Sequence, residues 1–172
     1  IDGSGKGTII QNITEELEKS GFKIFDVVKY CKETGDFPKK ETFADADVII
    51  TAEPTYAGKG KEIRSRIIKK ETKSTPEEIA LAFAEDRLYH YTNIILPALA
   101  MKKHIIQDRS VSSSLAYQPL SSPNITIDWV AELHGNHIAL ENAPDVLIIA
   151  DLPAAEAVKR LAKRMEKQDD SI

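Results

Sequence analysis

The sequence predicts a three-layer α/β fold, in which a doubly wound parallel sheet has helices on both faces. Short apolar, β-branched runs alternate with longer segments whose apolar residues recur at helical spacing. No hairpin turn signal joins two successive runs, so the strands must be connected by crossovers and run parallel. A glycine-rich loop leads directly into the first helical segment. Ligands of such sheets bind at the carboxyl ends of the strands, and we look for functional residues there.

Each element has its own local signal. Helical spacing predicts a first helix over 9–17, and β-branched runs predict strands at 22–28, 47–51, 104–107 and 145–150. The polar stretch 29–46 contains Gly35 and Pro38, so we expect a loop that looks like an insertion. Thr75-Pro76-Glu77-Glu78 combines a capping threonine, a proline at the first helical position and a capping-box glutamate, which predicts a helix that ends or bends at Pro97. Further helices are predicted at 58–70, 127–140 and 153–167.

Composition restricts the class of protein. The chain has 172 residues, of which 42% are hydrophobic and 29% charged, as expected for a single domain over 1–172. A net charge of −4 argues against a surface devoted to nucleic acid. The lone cysteine, Cys31, excludes an internal disulfide and favours a cytoplasmic location. No run approaches the roughly 18 apolar residues of a membrane span, so we expect neither nucleic acid nor membrane as a partner.

Residues 1–8 (I-D-G-S-G-K-G-T) form a glycine-rich loop before a helix. Such a loop lets backbone N–H groups surround phosphate oxygens, while Lys6 and the positive end of the helix add charge. The pattern G-x-x-x-x-G-K-[ST] matches in part, because its first glycine would precede Ile1 and Gly7 occupies the hydroxyl position. The residues predicted to bind ATP are Gly3, Ser4, Gly5, Lys6, Gly7 and Thr8.

Two further pairs of residues are compatible with phosphoryl transfer to a nucleotide, and each also has a structural interpretation. Asp108 and Arg109 follow the third strand, where the carboxylate could hold hydrated Mg²⁺ and the guanidinium could bridge phosphoryl groups. An aspartate that caps the next helix is the alternative. Phe83 and Arg87 share one helix face, where a ring and a guanidinium could stack on a pyrimidine and donate to its carbonyl edge. A core phenylalanine beside a surface arginine is the alternative there.

Five segments resemble, in the same order, the motifs of one enzyme family. They are G-S-G-K-G-T, T-A-E-P-T-Y-A-G-K-G-K-E-I-R (51–64), L-A-F-A-E-D-R (81–87), D-R-S-V-S-S-S-L-A-Y-Q (108–118) and A-P-D-V-L-I-I-A-D-L-P (143–153). The chain thus resembles the thymidylate kinases, which are P-loop nucleoside monophosphate kinases. The resemblance implies transfer of the ATP γ-phosphoryl group to dTMP with Mg²⁺, in a cytoplasmic homodimer with a short lid. It also implies a strand before Ile1 and a helix after Ile172.

The resemblance implies roles for individual residues. Asp2 would contact the 3′-hydroxyl of the sugar, and Tyr117 would disfavour a ribose. The residues implied to bind dTMP are Asp2, Glu53, Phe83, Arg87, Arg109, Ser113, Ser114, Tyr117 and Gln118. The catalytic set is Lys6, Asp108, Arg109 and Arg164, with Asp108 and Thr8 as ligands of Mg²⁺. The lid would span 160–172, and because Gly3 stands where some relatives carry an arginine, Arg160, Arg164 and Lys167 are candidates for the transition-state cation.

One departure from the family pattern keeps other functions open. Ala52 stands where an arginine usually grips the acceptor phosphate, so this charge must come from Arg64 or Arg109, or the acceptor differs. A deoxynucleoside kinase, with Glu53 as the base that deprotonates a 5′-hydroxyl, is the second hypothesis. A nucleotide-binding module without turnover is the third, and the presence of Lys6, Asp108 and Arg109 argues against it.

Overall fold

A computed structural model describes residues 4–67 and 73–169, with side chains given for 4–65 and 73–162. The chain divides into two compact units, one made of Ile1–Leu17 with Pro144–Ile172 and the other of Glu18–Ala143. No helix in the described part of the chain is long and apolar enough to cross a membrane. The single domain over 1–172 and the lid over 160–172 stay predictions.

The smaller unit contains the start of helix α1 (Lys6–Lys19) and helix α9 (Ala154–Asp169). Gly5 precedes α1 with φ of 90°, a left-handed conformation that favours glycine, and its carbonyl accepts from the Ile9 N–H at 3.0 Å. The strand predicted at 145–150 is wrong, because these residues form neither strand nor helix. Their apolar side chains at 146–149 are 61–78% exposed, and a strand needs a hydrogen-bonded neighbour.

The larger unit contains a parallel three-stranded sheet in the order β1-β2-β3. The strands are β1 (Ile24–Asp26), β2 (Val48–Ala52) and β3 (His104–Asp108). All five residues of β2 are buried, as expected for a central strand covered on both faces. The register pairs Ala52 with Asp108, so the carboxyl ends of β2 and β3 are adjacent. The α/β fold class and the strands predicted near 47–51 and 104–107 are confirmed.

The stretch 29–46 is not the loop that we predicted. Helix α2 (Val27–Thr34) occupies its first part, and a 3₁₀ turn (Lys40–Phe43) follows. The Asp26 carboxylate caps α2 by accepting from the Lys29 N–H at 2.9 Å, and Gly35 ends it with φ of 81°. Gly35 is therefore a helix cap rather than a loop signal. Phe43 and Cys31 are buried in the core, and burial raises the pKa of the Cys31 thiol to about 11.

Helix α3 (Gly58–Glu62) continues into a π-helical segment (Ile63–Ile67), and a long helical rod follows later in the chain. The rod consists of α4 (Pro76–His90), a wide π turn (Tyr91–Ile95) and α5 (Leu96–Ala100). The predicted capping box is confirmed, because the Thr75 hydroxyl accepts from the Glu78 N–H at 3.2 Å and the Thr75 N–H donates to the Glu78 carboxylate at 2.8 Å. We predicted that the helix ends or bends at Pro97. The end is wrong, because the helix continues to Ala100, whereas the π turn interrupts its α-helical pattern just before Pro97. Pro97 stands in the first turn of α5, where its missing N–H costs little.

The C-terminal part of the larger unit contains α6 (Val111–Tyr117), α7 (Ile127–Glu132) and α8 (His134–Glu141). The single helix predicted over 127–140 is wrong, because Leu133 adopts an extended conformation (φ −60°, ψ 129°) between α7 and α8. Helix α8 packs closely on α4 through Gly135. A methyl group at Gly135 would lie 1.9 Å from the Ala84 carbonyl oxygen and 2.7 Å from the Leu88 nitrogen.

We expect Gly135→Ala to lower the free energy of unfolding by about 1–3 kcal/mol, because the added methyl group separates α8 from α4. Urea unfolding followed by circular dichroism measures this loss. Gly7→Ala is the control for an added methyl group on a helix, since a Cβ atom there would have no heavy atom of the described residues within 4 Å apart from its own helix backbone and chain neighbours. A Gly135→Ala protein as stable as wild type would contradict the tight packing described here.

Candidate active site

Polar residues of the larger unit converge where β2 and β3 end. Glu53 follows β2 directly, and its N–H donates to the Asp108 carbonyl oxygen at 3.0 Å. This bond extends the pairing of the two strands by one residue beyond Ala52. The backbone of Glu53 is therefore fixed beside Asp108, at the sheet edge where ligands of parallel sheets bind.

A buried ion pair joins Glu53 to Arg87 of α4. The Glu53 Oε2 atom lies 2.8 Å from Arg87 Nε and 2.7 Å from Nη2, and the two side chains are 3% and 2% exposed. His90 Nδ1 lies 3.0 Å from the other oxygen, Glu53 Oε1. Burial alone would raise the pKa of Glu53, but the Arg87 charge and the His90 hydrogen bond together lower it below its ordinary value of 4.5.

The Arg87 guanidinium also reaches α8. Its Nη1 atom donates to the side-chain oxygen of Asn136, whose amide nitrogen donates to the Val130 carbonyl oxygen at 2.6 Å. A guanidinium has five N–H groups, and these contacts use one on each nitrogen, which leaves a second N–H on both Nη1 and Nη2. The alternative of a surface arginine is wrong, because Arg87 is buried. Sequence reasoning missed Asn136, since 49 residues separate it from Arg87.

The loop after Glu53 is fixed from two sides. Asp86 of α4 accepts from the Thr55 N–H at 2.8 Å and from the Thr55 hydroxyl at 2.5 Å, and burial raises the pKa of Asp86 despite these bonds. Arg64 donates from Nε to the Pro54 carbonyl oxygen at 2.9 Å and lies 3.7 Å from the centre of the Tyr56 ring. The π-helical segment after α3 and helix α4 thus hold the segment 53–56 next to the strand ends.

Asp108 ends β3 with an oxygen that lacks a hydrogen bond. Its Oδ1 atom is buried and accepts no hydrogen bond from the described residues. The next residue, Arg109, has φ of 65°, a left-handed conformation that is uncommon outside glycine and concentrates at functional sites. Asp108 is not the cap of the next helix, because the N-cap residue of α6 is Ser110. An unsatisfied carboxylate oxygen suits a hard cation such as Mg²⁺.

Of the other residues predicted to bind dTMP, those that the structure describes lie on α4, on α6 or directly after α6. Gln118 donates from Nε2 to the Ser114 hydroxyl at 3.2 Å, and both side chains are buried. The Gln118 Oε1 atom is buried and accepts no hydrogen bond within the described ranges. Tyr117 is 49% exposed, whereas Phe83 and Ser113 are half-buried.

In the smaller unit, Lys6 Nζ donates to the Ser4 hydroxyl at 3.3 Å. A Cβ atom on Gly5 would lie 4.0 Å from Arg160 Nη1, so this cation of α9 is beside the glycine-rich loop. Arg160 Nε also lies 3.3 Å from the Glu156 carboxylate. Gly7 and Thr8 lie in the first turn of α1. Asp2, Gly3 and the side chains of Arg164 and Lys167 lie outside the described residues.

Comparison with known proteins gives consistent matches. The family model described as thymidylate kinase matches residues 39–172. The chain is 32% identical over 168 residues to a probable thymidylate kinase of Pyrococcus abyssi, covering 95% of this chain and 67% of that protein. It is 31% identical over 175 residues to the thymidylate kinase of Prochlorococcus marinus strain NATL2A, covering 100% of this chain and 71% of that protein. The crystal structure of thymidylate kinase from Ehrlichia chaffeensis has the same fold, with a TM-score of 0.63, 24% identity and coverage of 99% and 79%.

Proposed function

This chain belongs to the thymidylate kinase family, and from that membership we propose that it transfers the γ-phosphoryl group of ATP to dTMP, giving dTDP and ADP. The observation that best supports this function is the buried Glu53–Arg87 pair beside Asp108, at the ends of β2 and β3. The acceptor phosphate is already an anion, so the reaction needs positioning and charge stabilisation rather than a strong base. By resemblance to the family we also propose a cytoplasmic homodimer.

On the donor side, the loop of Gly3, Ser4, Gly5, Lys6, Gly7 and Thr8 would bind the ATP phosphates. Lys6 would contact the β- and γ-phosphates, in keeping with its position in the loop sequence. Among the lid cations, Arg160 has the more direct support, because its guanidinium lies beside Gly5. Arg164 is the cation that the sequence puts first for stabilising the transition state, and because its side chain lies outside the described residues that role stays a prediction.

On the acceptor side, Arg87 and Phe83 would bind the thymine base. Arg87 keeps two N–H groups that could donate to the carbonyl edge of the thymine. Glu53 acts through Arg87 by holding its guanidinium. The remaining contacts to dTMP would come from Asp2, Ser113, Ser114, Tyr117 and Gln118. Arg109, which follows β3 directly at the strand ends, would replace the phosphate-binding charge that Ala52 cannot supply. Arg64 donates to the carbonyls of the 53–56 loop.

Asp108 is the residue that would hold Mg²⁺, and Thr8 is the second ligand that the sequence predicts. The buried Oδ1 atom of Asp108 fits this role, since no described residue donates to it. When bound with ATP, Mg²⁺ would neutralise charge on the β- and γ-phosphates.

Release of ADP from Mg-ATP, measured by a coupled assay with a panel of acceptors, tests the proposal. We expect dTMP to exceed thymidine in kcat/KM by about two orders of magnitude or more, because Arg109 would pair with the acceptor phosphate, which thymidine lacks. Turnover of thymidine or deoxycytidine but not of dTMP would favour the deoxynucleoside kinase. The lowered pKa of Glu53 argues against that alternative, since it makes the carboxylate a weak base. Binding of ATP without ADP release on any acceptor would favour the non-catalytic module.

A further inference from the structure

We propose that His90 is a positioning residue for nucleobase recognition, because it holds the Glu53 carboxylate that orients Arg87. This inference rests on the proposed function, since it assigns a residue to the acceptor site. His90 is fully buried on α4, three residues after Arg87, and it faces the end of β2. Its role is to act through Glu53 and Arg87 rather than to touch the substrate.

The imidazole of His90 bridges two polar groups at the end of β2. Its Nδ1 atom lies 3.0 Å from Glu53 Oε1, and its Nε2 atom lies 2.7 Å from the Thr51 hydroxyl oxygen. An ionised carboxylate can only accept, so Nδ1 carries a hydrogen and donates to Glu53. The Thr51 hydroxyl contacts the ring from the opposite side. All three side chains are buried, so both contacts are shielded from water.

The two oxygens of Glu53 divide their partners. Oε1 accepts from His90, whereas Oε2 lies within hydrogen-bond distance of both Nε and Nη2 of Arg87. Rotation of the carboxylate about its last bond would therefore break both sets of contacts together. With His90 in place, the plane of the carboxylate and the plane of the guanidinium are fixed. Asn136 holds the guanidinium from its other side, through Nη1.

Two amide substitutions separate the contacts of His90. The amide nitrogen of an asparagine takes roughly the place of Nδ1, so His90→Asn keeps the donor to Glu53 and loses the contact with Thr51. The amide nitrogen of a glutamine takes roughly the place of Nε2, so His90→Gln keeps the contact with Thr51 and loses the donor to Glu53. Only the contact with Glu53 leads on to Arg87.

Steady-state kinetics of wild type and both variants, with dTMP and ATP varied in turn, test the inference. We expect His90→Gln to raise KM for dTMP about tenfold, as for loss of a hydrogen bond to a charged group. We expect KM for ATP, and kcat at saturating dTMP, to stay within about threefold of wild type. His90→Asn should keep KM for dTMP within about threefold. Equal KM values for dTMP in the two variants, whether raised or unchanged, would overturn the positioning role.

A second comparison keeps the inference testable if His90→Gln does not fold. Thr51→Val removes the partner of Nε2 and leaves the contact with Glu53, so we expect KM for dTMP to be unchanged. A tenfold increase in that variant would contradict the inference. A wild-type protein that does not phosphorylate dTMP would instead contradict the proposed function, so the two failures are distinguishable.

Discussion

Replacing Glu53 with methionine is expected to lower the free energy of unfolding by about 3–5 kcal/mol, because the change leaves the Arg87 charge buried without its counter-ion. Urea unfolding at neutral pH measures the loss. Replacing both Glu53 and Arg87 with methionine removes both charges, and we expect that protein to be more stable than Glu53→Met alone. Paired removal of buried charges is commonly far less costly than removal of one.

A double-mutant cycle tests whether the two side chains are coupled. We expect the two single substitutions and the double substitution to give a coupling energy of about 2 kcal/mol or more, and additive energies would contradict the buried pair. Glu62→Met is the matched control, since Glu62 pairs with Lys59 at 3.2 Å but its side chain is 46% exposed. We expect that surface substitution to change stability by less than about 1 kcal/mol.

The Glu53–Arg87 pair makes the free energy of unfolding depend on pH, with a loss expected at low pH. The pKa of Glu53 is lower in the folded protein than its ordinary value of 4.5. Its contribution is therefore fully present above pH 4.5 and is lost as the pH falls through the lower folded value. The pKa of Asp86 is raised, so its effect has the opposite sign. We expect the free energy of unfolding of Glu53→Met, measured as a function of pH, to lack the decrease at low pH that is due to Glu53 and to keep the opposite effect of Asp86.

Asp108→Asn is expected to have the other large effect, on turnover rather than on stability. We expect kcat with dTMP to fall by about two to three orders of magnitude, because the asparagine lacks the negative charge with which the Asp108 carboxylate would hold Mg²⁺ at the phosphates. Stability should stay the same or rise, since the buried Oδ1 atom of the wild-type residue accepts no hydrogen bond from the described residues.

Gln107→Leu is the control for Asp108→Asn. Gln107 is the preceding residue of β3, so its side chain points to the opposite face of the sheet. We expect its kcat to stay within about threefold of wild type. A loss of stability in Asp108→Asn without a loss of kcat would show that Asp108 is structural.

Local sequence signals predicted several elements whose determinants lie within a few residues. The capping box at Thr75 and the buried strands β2 and β3 are of this kind. Helix α2 was missed although its signals are also local: Asp26 caps it, Val27 and Cys31 face the core four residues apart, and Gly35 ends it. The segment 145–150 shows the reverse case. Its composition suits a strand, but strand formation depends on a hydrogen-bonding neighbour that the local sequence does not reveal.

The candidate site was predictable to a similar extent. The sequence predicts Arg87 and Asp108 as site residues because of their positions. Arg87 shares a helix face with Phe83, and Asp108 directly follows a predicted strand. The network around Arg87 joins four elements, so spacing along the chain does not reveal it. His90 had a usable signal, since it lies three residues after Arg87 and shares its helix face. Asn136 had none in the sequence.

The π turn at Tyr91–Ile95 changes the direction in which the side chains after it point from the axis of the helical rod. One residue added in such a turn rotates every later side chain by about 100° relative to an unbroken α-helix. Two faces of the rod are therefore offset by this rotation. One is the face of α4 that carries Arg87 and His90, and the other is the face of α5 that packs on β3. Adding or deleting one residue in this turn would rotate one of the two faces away from the residues it packs against. The position of Arg87 and His90 at the strand ends therefore depends on the number of residues in the turn as well as on the side chains.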